Sequence, residues 1–108
     1  MIPKEVKEEV LKIVDEFNND ELDLINDFYR FVAEFRGKYL YLKTMKYDRV
    51  SPIARLKYLG DMNKWDFAIY RYSSEKYDAE ECLFPGFECL DGTIRGALLA
   101  GNTAYPPM

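Results

Sequence analysis

Between residues 53 and 72 the side chains change character at almost every step. "IARLKYL" at 53–59 alternates, "GDMNK" at 60–64 interrupts, and "WDFAIYRY" at 65–72 alternates again. A period of two sends successive side chains to opposite faces of a strand. Two such runs around a polar, glycine-containing connection predict antiparallel neighbours with one apolar and one polar face. A sheet of this kind persists only if its apolar face is covered.

The first cover lies near the start of the sequence. Val6, Val10, Ile13, Val14 and Phe17 recur at the spacing of one helical face, with lysine and glutamate on the other sides. Pro3 suits the first turn of this helix, where a missing N–H costs nothing. Glu5, Glu8 and Glu9 lie near the positive end of its dipole, and "NND" at 18–20 ends it. A membrane-surface helix would place lysines rather than glutamates on the polar face. Core packing is the reading.

At the other end, Asp91 or Thr93 can cap a second helix that carries Ile94, Ala97, Leu98 and Gly101 on one face. Its small residues, Gly96, Ala97, Ala100 and Gly101, allow close approach to a sheet or another helix.

Residues 20–47 admit two readings. Leu22, Ile25, Phe28, Val32 and Phe35 fit a helix ending at Gly37. Phe31, Ala33 and Phe35 also alternate, and Arg36-Gly37 then forms the turn of a hairpin over about residues 27–45. The aromatic density favours the hairpin. "YDRVSP" at 47–52 reads as a connection with Pro52 opening the next strand, and Cys82–Phe84 as a short extended piece before the turn "FPG". The expected fold is a single α+β domain over residues 1–108. It has an N-terminal helix, an antiparallel β-meander of about four strands and a C-terminal helix.

"SPIARLKY" at 51–58 followed by "WDFAIYRYSSEKYD" at 65–78 resembles a group of small microbial α+β domains known only as being of unknown function. In that group a helix precedes an antiparallel meander. Its later strands carry a Ser-Pro-x-Ala-basic-hydrophobic-basic-Tyr pattern and then a Trp-x-hydrophobic pattern. The resemblance covers about residues 28–85 and implies a shape and no activity. The stretch from Phe84 onward does not map onto the shorter members.

Chemistry is constrained mainly by what is missing. The 108 residues include no histidine, which removes the commonest general base and any serine–histidine or cysteine–histidine unit. Cys82 and Cys89 are the only thiols, too few to complete a four-ligand zinc site, and they read as reduced small hydrophobes near a turn. No phosphate-binding glycine loop, dinucleotide fingerprint or nucleophile elbow occurs. Pairs such as Glu80/Glu81, or Asp78, are available for acid–base work, but such pairs occur on most solvated surfaces. No cofactor is expected. No apolar run reaches membrane-spanning length, and Met1–Leu11 is too charged for a secretory leader, so a soluble, cytoplasmic chain is expected.

The net charge of −4 conceals a segregation. Residues 1–35 carry 4 basic and 10 acidic side chains, residues 36–76 carry 10 and 4, and residues 77–108 carry 1 and 5. Either the acidic ends neutralise the basic middle by folding beside it, or the middle presents a basic face to an anionic partner.

Alternation sorts the strands accordingly. Phe31, Ala33, Phe35, Leu40, Leu42, Ala54, Leu56, Trp65, Phe67 and Ile69 share the face that receives the first helix. The other face carries Tyr39, Tyr41, Lys43, Arg55, Lys57, Tyr70 and Tyr72, with Val32 and Glu34 among them. Aromatics beside cations hold single-stranded nucleic acid in several domain types. Equally, cross-strand tyrosine pairs and arginine-over-tyrosine contacts stabilise a half-exposed sheet by themselves, at about 0.2–1 kcal/mol each.

The functional expectation is a small binding or interaction module acting through this face. A protein partner or a second copy is favoured over a single nucleic-acid strand, and no membrane is expected. The alternative is a small enzyme using carboxylates or a cysteine in an unidentified pocket. Trp65, in phase with Phe67 and Ile69, belongs to the core. Trp65→Ala is expected to lose about 3–5 kcal/mol of stability in denaturant titration, and a solvent-like native emission maximum would contradict the placement.

Overall fold

The computed structural model describes residues 1–22 and 29–106. Helix α1, Lys4–Glu21, is followed by strands β1 (Tyr29–Arg36), β2 (Tyr39–Lys46), β3 (Arg49–Asp61), β4 (Lys64–Arg71) and β5 (Lys76–Asp78), and then by helix α2, Ile94–Ala104. A short 3-10 turn, Phe87–Cys89, precedes α2. The strands form one antiparallel meander in the order β1-β2-β3-β4-β5. The fold is therefore α+β, with the hairpin rather than a second helix over residues 29–46. Ile25 and Phe28, which entered the helical alternative, lie outside the described residues.

Several boundaries differ from the sequence-based expectation, each for a local reason. The sheet has five strands, because the chain turns at Ser73–Glu75 and adds Lys76–Asp78 to β4. Cys82–Phe84 belongs to no strand. Arg36 pairs with Tyr39, so the first hairpin turns on Gly37-Lys38, with Gly37 at φ 59°. β3 begins at Arg49, three residues before Pro52.

Pro52 is tolerated inside β3 because the ladder is irregular there. Leu42 pairs with Ala54 but Lys43 pairs with Pro52, so Ile53 is an extra residue. A bulge of this kind interrupts the ladder where proline lacks its N–H. It also turns two successive side chains inward: Ile53 is 2% exposed and Ala54 0%.

Both helices pack on the apolar face, where only the first was expected to. From α1, Phe17 meets Phe31 edge-on at 5.6 Å between ring centroids. From α2, Gly101 lies so close to the bulge that a Cβ there would stand 2.8 Å from Ile53 Cγ2. α2 begins at Thr93, whose Oγ1 accepts from Gly96 N–H at 3.0 Å. Asp91 supports the cap, accepting from the Thr93 amide at 3.0 Å and its hydroxyl at 2.5 Å. Trp65 is buried beside Tyr58, donates from Nε1 to Met62 O at 2.7 Å, and gives its own amide to Gly92 O.

Asn18 does more than sit near a helix end. Its Nδ2 donates to Phe31 O at 3.0 Å and its Oδ1 accepts from Phe31 N–H at 2.8 Å. The carboxamide thus replaces one peptide unit of a missing neighbour strand and occupies the β1 edge at that residue. No described helix is long and apolar enough to cross a membrane.

The contact between α2 and the bulge generates a test. Gly101→Ala gains roughly 1 kcal/mol of helix propensity, but its methyl group forces Ile53 to move, at about 1–3 kcal/mol for overpacking. The expected outcome is a net loss in thermal and urea unfolding. A Gly101→Ala protein as stable as wild type would show that α2 sits further from the sheet.

Candidate functional site

With both helices on one side, the opposite sheet face is covered by no described element. Cross-strand pairing assembles it. Tyr39 stands opposite Lys57, Tyr41 opposite Arg55, Arg55 opposite Ala68, and Tyr70 opposite Tyr77. Ala68, with the smallest side chain of the group, is buried among taller neighbours.

The rings form a continuous ribbon. Tyr39 and Tyr41 are 6.4 Å apart, Tyr41 and Tyr77 5.5 Å, Tyr77 and Tyr70 5.0 Å, and Tyr70 and Tyr72 4.9 Å. Most contacts are edge-to-face, the arrangement that the ring quadrupole favours.

Arg55 sits within this ribbon. Its guanidinium carbon lies 4.7 Å from the Tyr39 ring centroid and 5.4 Å from that of Tyr77. Lys43 and Arg36 are both drawn to Glu34, at 2.5 and 3.4 Å. That bond from Lys43, ahead of the other causes, holds the Glu34 carboxyl below its usual range. Arg55 and Lys57, in contrast, make no ion pair among the described residues. The face therefore holds a neutralised flank at Glu34 and an uncompensated centre at Arg55.

Of the residues singled out by alternation, Tyr39, Tyr41, Lys43, Arg55 and Lys57 share one face of β2 and β3, and Tyr70 joins them through its partner Tyr77, whose ring reaches Tyr41 and Arg55. Tyr72 is separated from them by its position beyond the end of β4. Its ring still meets Tyr70, but its hydroxyl donates to Pro52 O at 2.7 Å and its other side packs on Tyr105 at 5.3 Å. Tyr105 follows α2 and donates to Tyr70 O at 2.5 Å, while Tyr29 donates to Tyr105 O at 3.4 Å. Tyr29, Tyr72 and Tyr105, with Thr44, Lys46, Arg49 and Ser51, line a cavity of about 340 Å³. Their phenol protons are spent on backbone carbonyls, so the cluster fastens the end of α2 to the sheet.

Tyr77 is the site residue that alternation missed. Its strand is only three residues long, too short for periodicity to register. The available signal was local: a polar Ser73-Ser74-Glu75 turn between Tyr72 and Tyr77.

Among the described residues no three carboxylates or thiols gather as metal ligands would. Cys82 is exposed, Cys89 is half-buried, and both are free thiols. Comparison with protein-family models, with curated proteins and with solved structures finds no match.

The tyrosines give the molecule a definite alkaline limit. Burial raises Tyr29, Tyr72, Tyr77 and Tyr105 above the ordinary phenol value, and neighbouring rings add to the effect at Tyr72 and Tyr77. A group whose folded pKa is raised contributes stability that is complete below its unfolded pKa, about 10 for tyrosine. That contribution is lost as pH rises through the folded value. Absorbance titration is expected to show a late-ionising subset of the nine tyrosines, with the melting temperature falling over the same range. Uniform ionisation with no fall in melting temperature would contradict the ring packing.

Proposed function

We propose that the chain is a small protein-interaction module that uses the tyrosine-basic sheet face to receive an acidic segment of its partner. One observation carries the reading: Arg55 is held between Tyr39 and Tyr77, on an uncovered face, with no carboxylate paired to it among the described residues. Ring stacking orients a planar guanidinium while leaving its N–H donors directed outward in the plane. Such a fork matches a carboxylate, and charge-assisted pairs of this geometry are among the stronger hydrogen bonds. The rings supply the apolar, slowly reorganising surface that interaction faces favour.

The same geometry weighs against a nucleic-acid platform. Bases need free ring faces, whereas Arg55 lies over Tyr39 and Tyr77 and the ribbon contacts are largely edge-to-face. The chain's net charge of −4 also opposes a polyanion.

The reading is tested by nuclear magnetic resonance with two probes, a glutamate-rich hexapeptide and oligothymidylate. The peptide is expected to shift the Arg55 Nε–H signal and the tyrosine ring protons, with affinity falling as salt is added. Arg55→Gln is expected to weaken peptide binding about tenfold, the factor lost with one charged hydrogen bond. Peptide shifts that are absent, or unchanged in Arg55→Gln, would overturn the proposal; tighter binding of oligothymidylate would transfer the face to nucleic acid.

A further inference from the structure

The segment after β5 is the chemical counterpart of this face. Between Tyr77 and Asp91 the sequence carries five carboxylates, Asp78, Glu80, Glu81, Glu88 and Asp91, and no lysine or arginine. Arg71 engages Asp78 and Glu81, at 3.2 and 3.4 Å, and Thr93 engages Asp91. Glu80 and Glu88 are exposed and make no ion pair among the described residues.

Between these two acids the loop displays apolar side chains. Leu83 is 91% exposed and Phe87 44%. The loop has a fixed base, because Phe84 stacks on Phe67 at 5.9 Å and Phe87 meets Phe84 edge-on at 5.7 Å. Phe67 belongs to the helix side of the sheet, so the base of the loop is anchored on the side away from Tyr39, Tyr41 and Arg55, while Glu81 and Leu83 border a cavity with Tyr72 and Tyr105 at the end of β4. An apolar tip between free acids, on a base anchored away from its own Arg55, has the charge and the surface that the face of a neighbour lacks.

We infer that the partner of the tyrosine-basic face is a second copy of this chain, docked through its acidic loop at residues 79–90. This rests on the reading proposed above. Glu80 and Glu88 supply carboxylates to Arg55 and Lys57, and Leu83 and Phe87 lie on the tyrosine rings. Loop and face are different patches, so the contact is heterologous and each copy both offers a loop and accepts one. Opposite charges fix which end meets which, and the contact weakens with salt.

Sedimentation velocity of the full chain, with two variants, tests this. Wild type is expected to gain mass with concentration at low salt and to return to monomer at about 0.5 M salt, where charges are screened within a few ångströms. A face variant, Arg55→Gln with Lys57→Gln, and a loop variant, Glu80→Gln with Leu83→Ser and Glu88→Gln, are each expected to stay monomeric with unchanged circular dichroism. Mixed one to one they are expected to form a heterodimer, because one retains the loop and the other the face. A wild type that stays monomeric at low salt overturns the inference, and this result stands even if a variant fails to fold. Association that persists in either folded variant, or a mixture that stays monomeric, also overturns it. If the glutamate-rich peptide still shifts Arg55, the loss is confined to the choice of partner; if it does not, the interaction face itself is lost.

Discussion

The bulge at Ile53 governs how the molecule closes. Alternation alone would send one of Ile53 and Ala54 to each side of the sheet, yet both are buried on the helix side. The extra residue lets β3 pass from the Leu42–Ala54 register to the Lys43–Pro52 register without exchanging its faces. It also raises a β-branched side chain toward α2 at the point where α2 has no side chain of its own, Gly101. A larger residue at either position would push the helix from the sheet, with the loss of contacts that small gaps entail. The docking of α2, and through Tyr105 the fastening of its end to β4, follows from that fit.

Placing both helices on one face has a consequence for the other. A sheet with one uncovered face must stabilise that face from within, and here tyrosines and arginine do so. The contacts that stiffen the ribbon also hold Arg55 upright between two rings. The contacts that stabilise the face and the surface proposed above for binding therefore involve the same atoms. A cation stacked on aromatics needs no carboxylate to be stable in place, and it keeps its hydrogen-bonding capacity for an incoming one. The Glu34 flank, where Lys43 and Arg36 are already paired, frames this centre.

The two chain ends that seem polar fillers in composition are structural in different ways. Asn18 sits within α1 but binds the backbone of β1, closing part of an exposed edge. The acidic stretch after Tyr77 is divided between two roles. Part of it is tied to Arg71 and the rest is presented outward with Leu83 and Phe87. Charge segregated in the sequence is thus partly neutralised in the fold, where Glu34, Asp78 and Glu81 from the acidic ends pair with Arg36, Lys43 and Arg71 of the basic middle.

Period-two alternation and a single-faced apolar helix determined the fold class and the burial of Trp65, and they favoured a hairpin over about residues 27–45 and a C-terminal helix capped by Asp91 or Thr93, because these depend on neighbours close along the chain. The structure chose the hairpin over the helical alternative and Thr93 as the cap. Phase along β2, β3 and β4 likewise placed Tyr39, Tyr41, Arg55, Lys57 and Tyr70 together. Only the tertiary structure decided that Ile53 is an extra residue, that Tyr72 leaves the ribbon's plane for Tyr105, and that Tyr77 completes the enclosure of Arg55. Each of those depends on contacts between elements distant in sequence. A bulge, a three-residue edge strand and a ring meeting another ring from 33 residues away leave no periodic trace, since periodicity records only which way a side chain points and not what it meets.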